Sequence, residues 1–230
     1  MVIKDWMTKC VITVETNDYM LDAINLLKEH NIHRLPVMEK DRLVGIVSDK
    51  DLIRISLYDA TPTEMNHLLC RVSKIRIGEI MTKNPITIPS DYTVDEAAHI
   101  FLKFKISGAP VTNNKKGMVG IITHTDLLRA QAQLSGLARR GISFAFNIED
   151  RPGAIKNTVE RIRKYEGRIA SIHSSYEDVS QGFRKIYIRM YGIDRQRFQQ
   201  LKEELQQKAD LLYMVDHSEN RRASYRKEKD

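Results

Sequence analysis

The sequence predicts an α+β protein in two parts: a doubled β-α-β-β-α unit within the first 135 residues, then a single β-α-β-β-α-β unit. Three observations carry this reading. The first part repeats itself at a spacing of 74–75 residues. After Gly136 the rhythm changes to longer alternating strands separated by two helical stretches. The composition, 42% hydrophobic and 29% charged, is that of a folded chain rather than a disordered or fibrous one.

The repeat is an ordered series of matches. Ile3-Lys4-Asp5-Trp6-Met7-Thr8-Lys9 meets Ile77-Gly78-Glu79-Ile80-Met81-Thr82-Lys83, and Ile12-Thr13 meets Ile86-Thr87. Ala23 meets Ala97, Ile32 meets Ile106, and Pro36-Val37 meets Pro110-Val111. With one inserted residue, Gly45-Ile46-Val47-Ser48-Asp49-Lys50-Asp51-Leu52 meets Gly120-Ile121-Ile122-Thr123-His124-Thr125-Asp126-Leu127. Each copy opens with a short β-rich run (Val11–Val14; Ile86–Ile88). A helix follows, carrying Met20, Ile24 and Leu27 or Val94, Ala97, Ile100 and Phe101 on one face. Asn17 and Asp91 are expected to cap these helices. Two apolar strands come next, the first holding Leu35-Pro36-Val37 or Ala109-Pro110-Val111, and a last helix starts near Asp51 or Asp126. Neither copy is long enough to bury much core alone, so the two are expected to pack together.

The Ser48-x-x-Asp51 and Thr123-x-x-Asp126 elements sit where a strand passes into a helix. They read as a variant capping box. The same geometry also suits a nucleotide. A carboxylate can accept both hydroxyls of a ribose, a hydroxyl one turn earlier can donate to phosphate, and helix N-terminal amides favour an anion. Both readings can hold at once. His33 and Arg34, before the first copy's strand, are candidate phosphate donors or a solvated pair. The second copy has Ser107 and Gly108 there, so its pocket is expected to lack the two cations.

These doubled motifs resemble a pair of cystathionine-β-synthase (CBS) domains, a Bateman module. The resemblance implies an adenosine-containing ligand with Asp51 or Asp126 on the ribose and Thr13 or Thr87 beside the adenine. It places Pro36 and Gly108-Ala109-Pro110 in the binding motifs. The expected divisions are 1–60 and 77–135 for the two CBS domains. Residues 61–76 are an insertion, in which Thr61-Pro62-Thr63-Glu64 opens a helix with Met65, Leu68, Leu69 and Val72. That insertion resembles CBS proteins of the acetoin-utilisation type.

Residues 136–141 read as a basic linker and 142–216 as the second part. Ile142–Ile148 is a strand, Glu149–Gly153 a turn, and a helix follows with Ile155, Val159 and Ile162 on one face. Strands Ile169–Tyr176 and Phe183–Tyr191, a helix Arg195–Lys208 and a strand Leu211–Val215 complete a ferredoxin-like order. With Asp150-Arg151-Pro152-Gly153 between first strand and first helix, this resembles an ACT domain. The resemblance implies an amino-acid effector. Its carboxylate would face the amides of Gly153, Ala154 and Ile155, and its ammonium Asp150. Arg168 departs from the family, which often has Asn or Asp there. Residues 217–230 are read as a charged, flexible tail.

The net charge of +7 includes +2 from that tail, an excess too modest to establish nucleic-acid binding. Cys10 and Cys70 stand sixty positions apart and form no C-x-x-C pair, so neither a disulfide scaffold nor a metal site is expected. No apolar run approaches a membrane span, and the N-terminus lacks a signal-peptide pattern. A cytoplasmic protein is expected. Walker, Rossmann, zincin and nucleophile-elbow motifs are missing, and no nucleophile stands beside a recognisable base. The expected protein is a regulator with no catalytic residues and no required cofactor. It senses AMP, ADP, ATP or S-adenosylmethionine, forms at least a homodimer, and acts on an unidentified partner protein. The alternatives are an uncharacterised enzyme of acetoin or nucleotide metabolism and, with less support, a nucleic-acid binder.

Overall fold

A computed structural model describes residues 1–57, 73–115 and 117–225. The expected insertion helix from Thr61 to Val72 and Cys70 lie outside the described residues. The chain divides into two units, Met1–Ala130 and Gln131–Asp230.

In the first unit, copy one comprises β1 (Val14–Glu15), α1 (Met20–Glu29), β2 (Arg34–Glu39), β3 (Arg42–Ser48) and α2 (Asp49–Leu57). Then come α3 (Ile77–Ile80) and β4 (Thr82–Lys83). Copy two comprises β5 (Ile88–Pro89), α4 (Val94–Phe104), β6 (Gly108–Thr112), β7 (Met118–Thr123) and α5 (His124–Leu134). The opening strands are shorter and later than Val11–Val14 and Ile86–Ile88. Two parallel pairings, Val14 with Val37 and Glu15 with Met38, define β1, and Ile88 with Val111 and Pro89 with Thr112 define β5. The helix caps are also later than Asn17 and Asp91. Tyr19 caps α1, with its amide donating to Asp22 at 3.3 Å. Thr93 caps α4, its hydroxyl accepting from the Glu96 amide while Glu96 accepts from the Thr93 amide at 2.8 Å, a full capping box.

Each copy has its own core, and each core is completed by the other copy's leading segment. Phe101, Ala97, Val111 and Ile122 of copy two enclose Ile3, which is fully buried. Leu35, Val37, Val47 and Met20 of copy one enclose Ile77, likewise fully buried. Backbone bonds repeat the exchange. Thr8 and Ile121 trade amide bonds at 2.9 and 3.0 Å, while β4 pairs with β3 through Thr82–Ile46 and Lys83–Gly45. The two motif glycines make room for this crossing. A Cβ on Gly120 would stand 2.6 Å from Met7 Sδ and 2.8 Å from the Thr8 carbonyl oxygen, and one on Gly45 would overlap Met81 Sδ.

In the second unit the order is β8 (Ile142–Glu149), α6 (Ala154–Lys164), β9 (Arg168–Ser175), β10 (Phe183–Tyr191), α7 (Arg195–Lys208), β11 (Asp210–Asp216) and β12 (Arg221–Ser224). All neighbours in the sheet β12-β11-β8-β10-β9 are antiparallel. Period-2 alternation sends Phe144, Phe146, Ile186, Ile188 and Met190 to one face, where Ile162 of α6 and Phe198, Leu201 and Leu205 of α7 cover them. The expected flexible tail is corrected here. Residues 221–224 form the edge strand β12, with Ala223 and Tyr225 packed on the core. Charged side chains suit an edge strand, whose outer face is wet.

Asp216, at the end of β11, is 2% exposed. Burial opposes its charge. The Arg195 guanidinium and the amides of Ser218 (2.9 Å) and Glu219 (3.2 Å) outweigh burial and hold the carboxyl below its ordinary range. A depressed folded pKa adds stability above the unfolded value of about 4, and that stability is lost as pH falls through the folded value. Asp216→Asn is expected to cost about 2 kcal/mol at pH 7 in urea unfolding, with the gap to wild type closing on acidification. A pH-independent gap would count against this assignment.

Candidate functional site

Both Ser/Thr-x-x-Asp elements cap their helices through the aspartate, and in copy one the Asp51 amide also donates back to the Ser48 hydroxyl at 3.4 Å, completing the box. Asp51 Oδ2 accepts from the Ser48 amide (3.0 Å) and hydroxyl (2.7 Å). Asp126 Oδ2 accepts from the Thr123 amide (2.9 Å) and hydroxyl (2.7 Å). The helices therefore start at Asp49 and His124, two residues earlier than expected. Asp126 is buried, and its other oxygen faces Arg129 Nη1 at 3.3 Å.

A cleft in the first unit has a volume of about 450 Å³. One wall is Thr123, His124, Thr125, Asp126 and Arg129 at the start of α5. The other is Asn31, Ile32, His33 and Arg34 at the entrance to β2, with Ser107. Thr8, Cys10, Val11 and Ile12 of the exchanged leading segment form the floor beside Ile121. Four of the sequence-predicted residues thus meet in one place: His33, Arg34, Thr123 and Asp126. Thr13, Pro36, Ser48, Asp51, Thr87, Gly108, Ala109 and Pro110 are not in its lining. Pro36, Ala109 and Pro110 are buried strand residues.

The expectation that copy two's pocket lacks cations is overturned, because copy one supplies them. Arg34 Nη2 donates to the Ser107 hydroxyl at 2.7 Å. Gly108 is what admits it, since a Cβ there would collide with the guanidinium. Burial pulls Arg34 below its ordinary pKa, partly offset by the Asp49 carboxylate. His33 Nδ1 lies 2.8 Å from Asp49 Oδ2. Thr8, Ser107 and Arg129 were not singled out from sequence. The only signal for Thr8 was its place in the repeated Met-Thr pair, and for Ser107 its place opposite His33.

In the second unit, Gly153 (φ 86°) precedes α6 in a left-handed conformation that favours glycine. Two expected ligand contacts are otherwise engaged. Asp150 Oδ1 lies 3.3 Å from Arg184 Nε, and the Ala154 amide donates to the Arg151 carbonyl at 3.2 Å. Arg151 pairs with Glu149. Pro152 is exposed in the turn, and Ile155 is half-buried against the core. Arg168 opens β9, exposed, beside Gly192. Among the described residues no group of three His, Cys, Asp or Glu stands at metal-binding spacing, and no helix is long and apolar enough to cross a membrane.

The family model "CBS domain" matches twice, over residues 3–58 and 77–133. A CBS domain-containing protein of Dictyostelium discoideum is 32% identical over 127 residues, 55% of this chain and 88% of that protein. The L-aspartate semialdehyde sulfurtransferase of Methanocaldococcus jannaschii is 34% identical over 128 residues, 55% of this chain but 22% of that enzyme. The structure of the CBS-pair protein CBSX2 from Arabidopsis thaliana is 29% identical, covers 57% of this chain and 94% of its own, and gives a TM-score of 0.50. CBSX2 is also known in complex with AMP (28% identity, 57% and 96% covered, TM-score 0.48). Two copies in sequence, two cores in space and two family matches agree, and the chain belongs to the CBS-domain family, as a tandem pair.

Proposed function

We propose that the protein is a non-enzymatic sensor of an adenine nucleotide, bound in the cleft beside Asp126. The observation that carries this reading is the composition of that cleft. A carboxylate and a hydroxyl at a helix start face an arginine and a histidine across about 450 Å³, within the range of small-ligand sites. Asp126 is suited to the ribose hydroxyls, and Arg34 and His33 to phosphate. The Arg34 charge favours AMP, ADP or ATP over the sulfonium of S-adenosylmethionine. Residues 142–216 read as a ferredoxin-like ACT domain that takes an amino-acid effector near Asp150–Ile155. Linkage between the two ligands, about 1–3 kcal/mol, would regulate a partner protein or the assembly of a homodimer. The resemblance of residues 61–76 to the insertion of the acetoin-utilisation type is what supports a link to acetoin utilisation.

Thermal unfolding of the whole chain with each nucleotide tests the first claim. A nucleotide at 100 times its dissociation constant is expected to stabilise the native state by about 2.7 kcal/mol and raise the midpoint. AMP, ADP or ATP should do so more than S-adenosylmethionine at equal concentration. No shift with any of the four would refute the sensor reading, and turnover of the bound nucleotide would move the protein to the enzyme alternative.

A further inference from the structure

The sheet of the second unit has a face turned away from α6 and α7, and its polar side chains form rows across the strands. Tyr213, Ala145, Tyr187 and His173 are register neighbours on β11, β8, β10 and β9. Ser143, Arg189 and Ser171 form the next row. All of these but Ala145 line a cleft of about 280 Å³, together with Ser135. That is roughly the liquid volume of nine waters, enough for a small organic molecule.

The chemistry of this cleft is one-sided. Arg189 Nη2 lies 3.3 Å from His217 Nε2, which also meets the Ser143 hydroxyl at 3.0 Å. That ring nitrogen therefore accepts, and His217 orients the guanidinium without neutralising it. Among the described residues, Arg189 Nη1 and His173 Nε2 are both buried without a hydrogen-bond partner. Native proteins rarely leave such atoms unpaired, because each costs its full desolvation. Among the described residues, no carboxylate lines the cleft. The Tyr187 and Tyr213 rings, with centroids 6.4 Å apart and planes tilted by 37°, offer aromatic surface beside the charge.

The geometry points to a binding site for a small organic anion in this cleft, with its carboxylate or phosphate on Arg189 Nη1 and His173 Nε2 and its body against Tyr187 and Tyr213. Its lining shares no residue with the Asp126 cleft or with the Asp150–Ile155 turn.

The test is titration of the full-length protein with benzoate and with inorganic phosphate, followed by amide chemical shifts of residues 171–173 and 187–189. Saturable shifts are expected, with a dissociation constant of about 1 mM for the better probe. Benzoate binding more tightly marks a carboxylate with a flat body, and phosphate binding more tightly marks a phosphate ester. Arg189→Gln should weaken the better probe at least about tenfold, Arg189→Lys less so, and Asp126→Ala not at all. If Arg189→Gln unfolds the unit, His173→Leu on the edge strand provides the same comparison. The proposal fails if neither probe saturates, which would mean that water fills the cleft. It also fails if Arg189→Gln or His173→Leu binds as the wild type does.

Discussion

Asp126→Ala is expected to lower AMP affinity by about 10- to 100-fold, while Asp51→Ala leaves it within about threefold. The first figure follows from losing hydrogen bonds to a charged group, about 1.5–3 kcal/mol, at a carboxylate inside the cleft. The second follows from Asp51 lying outside that lining. Both variants lose the same cap, an acceptor for an amide and a hydroxyl three residues back. Both should therefore lose about 1 kcal/mol of stability without ligand. The pair separates capping from binding, because the caps match and the clefts do not. Calorimetric titration of both variants decides it. Equal AMP affinity in Asp126→Ala and wild type would reduce both aspartates to caps.

Ile3→Ala is expected to destabilise the first unit by about 2–5 kcal/mol, a large share of an ordinary domain's stability of about 5–15 kcal/mol. Ile3 sits near the chain's start, where fraying is the usual expectation. Here it is fully buried among Phe101, Ala97 and Val111, and its amide bonds the Tyr92 carbonyl at 2.8 Å. Ile77→Ala, its counterpart in copy one, should cost a similar amount. Ile3→Ala should in addition weaken AMP binding, because Thr8, Cys10, Val11 and Ile12 follow on the same segment and line the cleft. Denaturant unfolding monitored in each unit reads the result. A loss below about 1 kcal/mol would mean the leading segment is not part of that core.

The element order was legible in the sequence because hydrophobic rhythm and repeat spacing report local structure directly. The partners of each element were not. An offset of 74 is the same whether Ile3 packs in its own copy or in the other, so the exchange left no trace in the pattern. For that reason the pattern leaves copy two's pocket without the two cations, whereas His33 and Arg34 stand in the cleft with Asp126. The cap at Thr93 was legible and overlooked, since Thr93-x-x-Glu96 is itself a capping-box pattern. The strand at 221–224 was hidden by charge, because composition reports solvation of side chains and is silent on backbone pairing. Arg34 over Gly108 was beyond reach, since it depends on a long side chain crossing between copies.

The crossing of leading segments has a consequence for how such a chain can arise and be divided. A half bearing residues 1–57 would offer a hydrophobic plug and a vacant socket, and so would a half bearing residues 77–130. Each plug fits the other half's socket, so two separate halves would be complementary. Carrying both copies on one chain raises the effective concentration of plug and socket for each other.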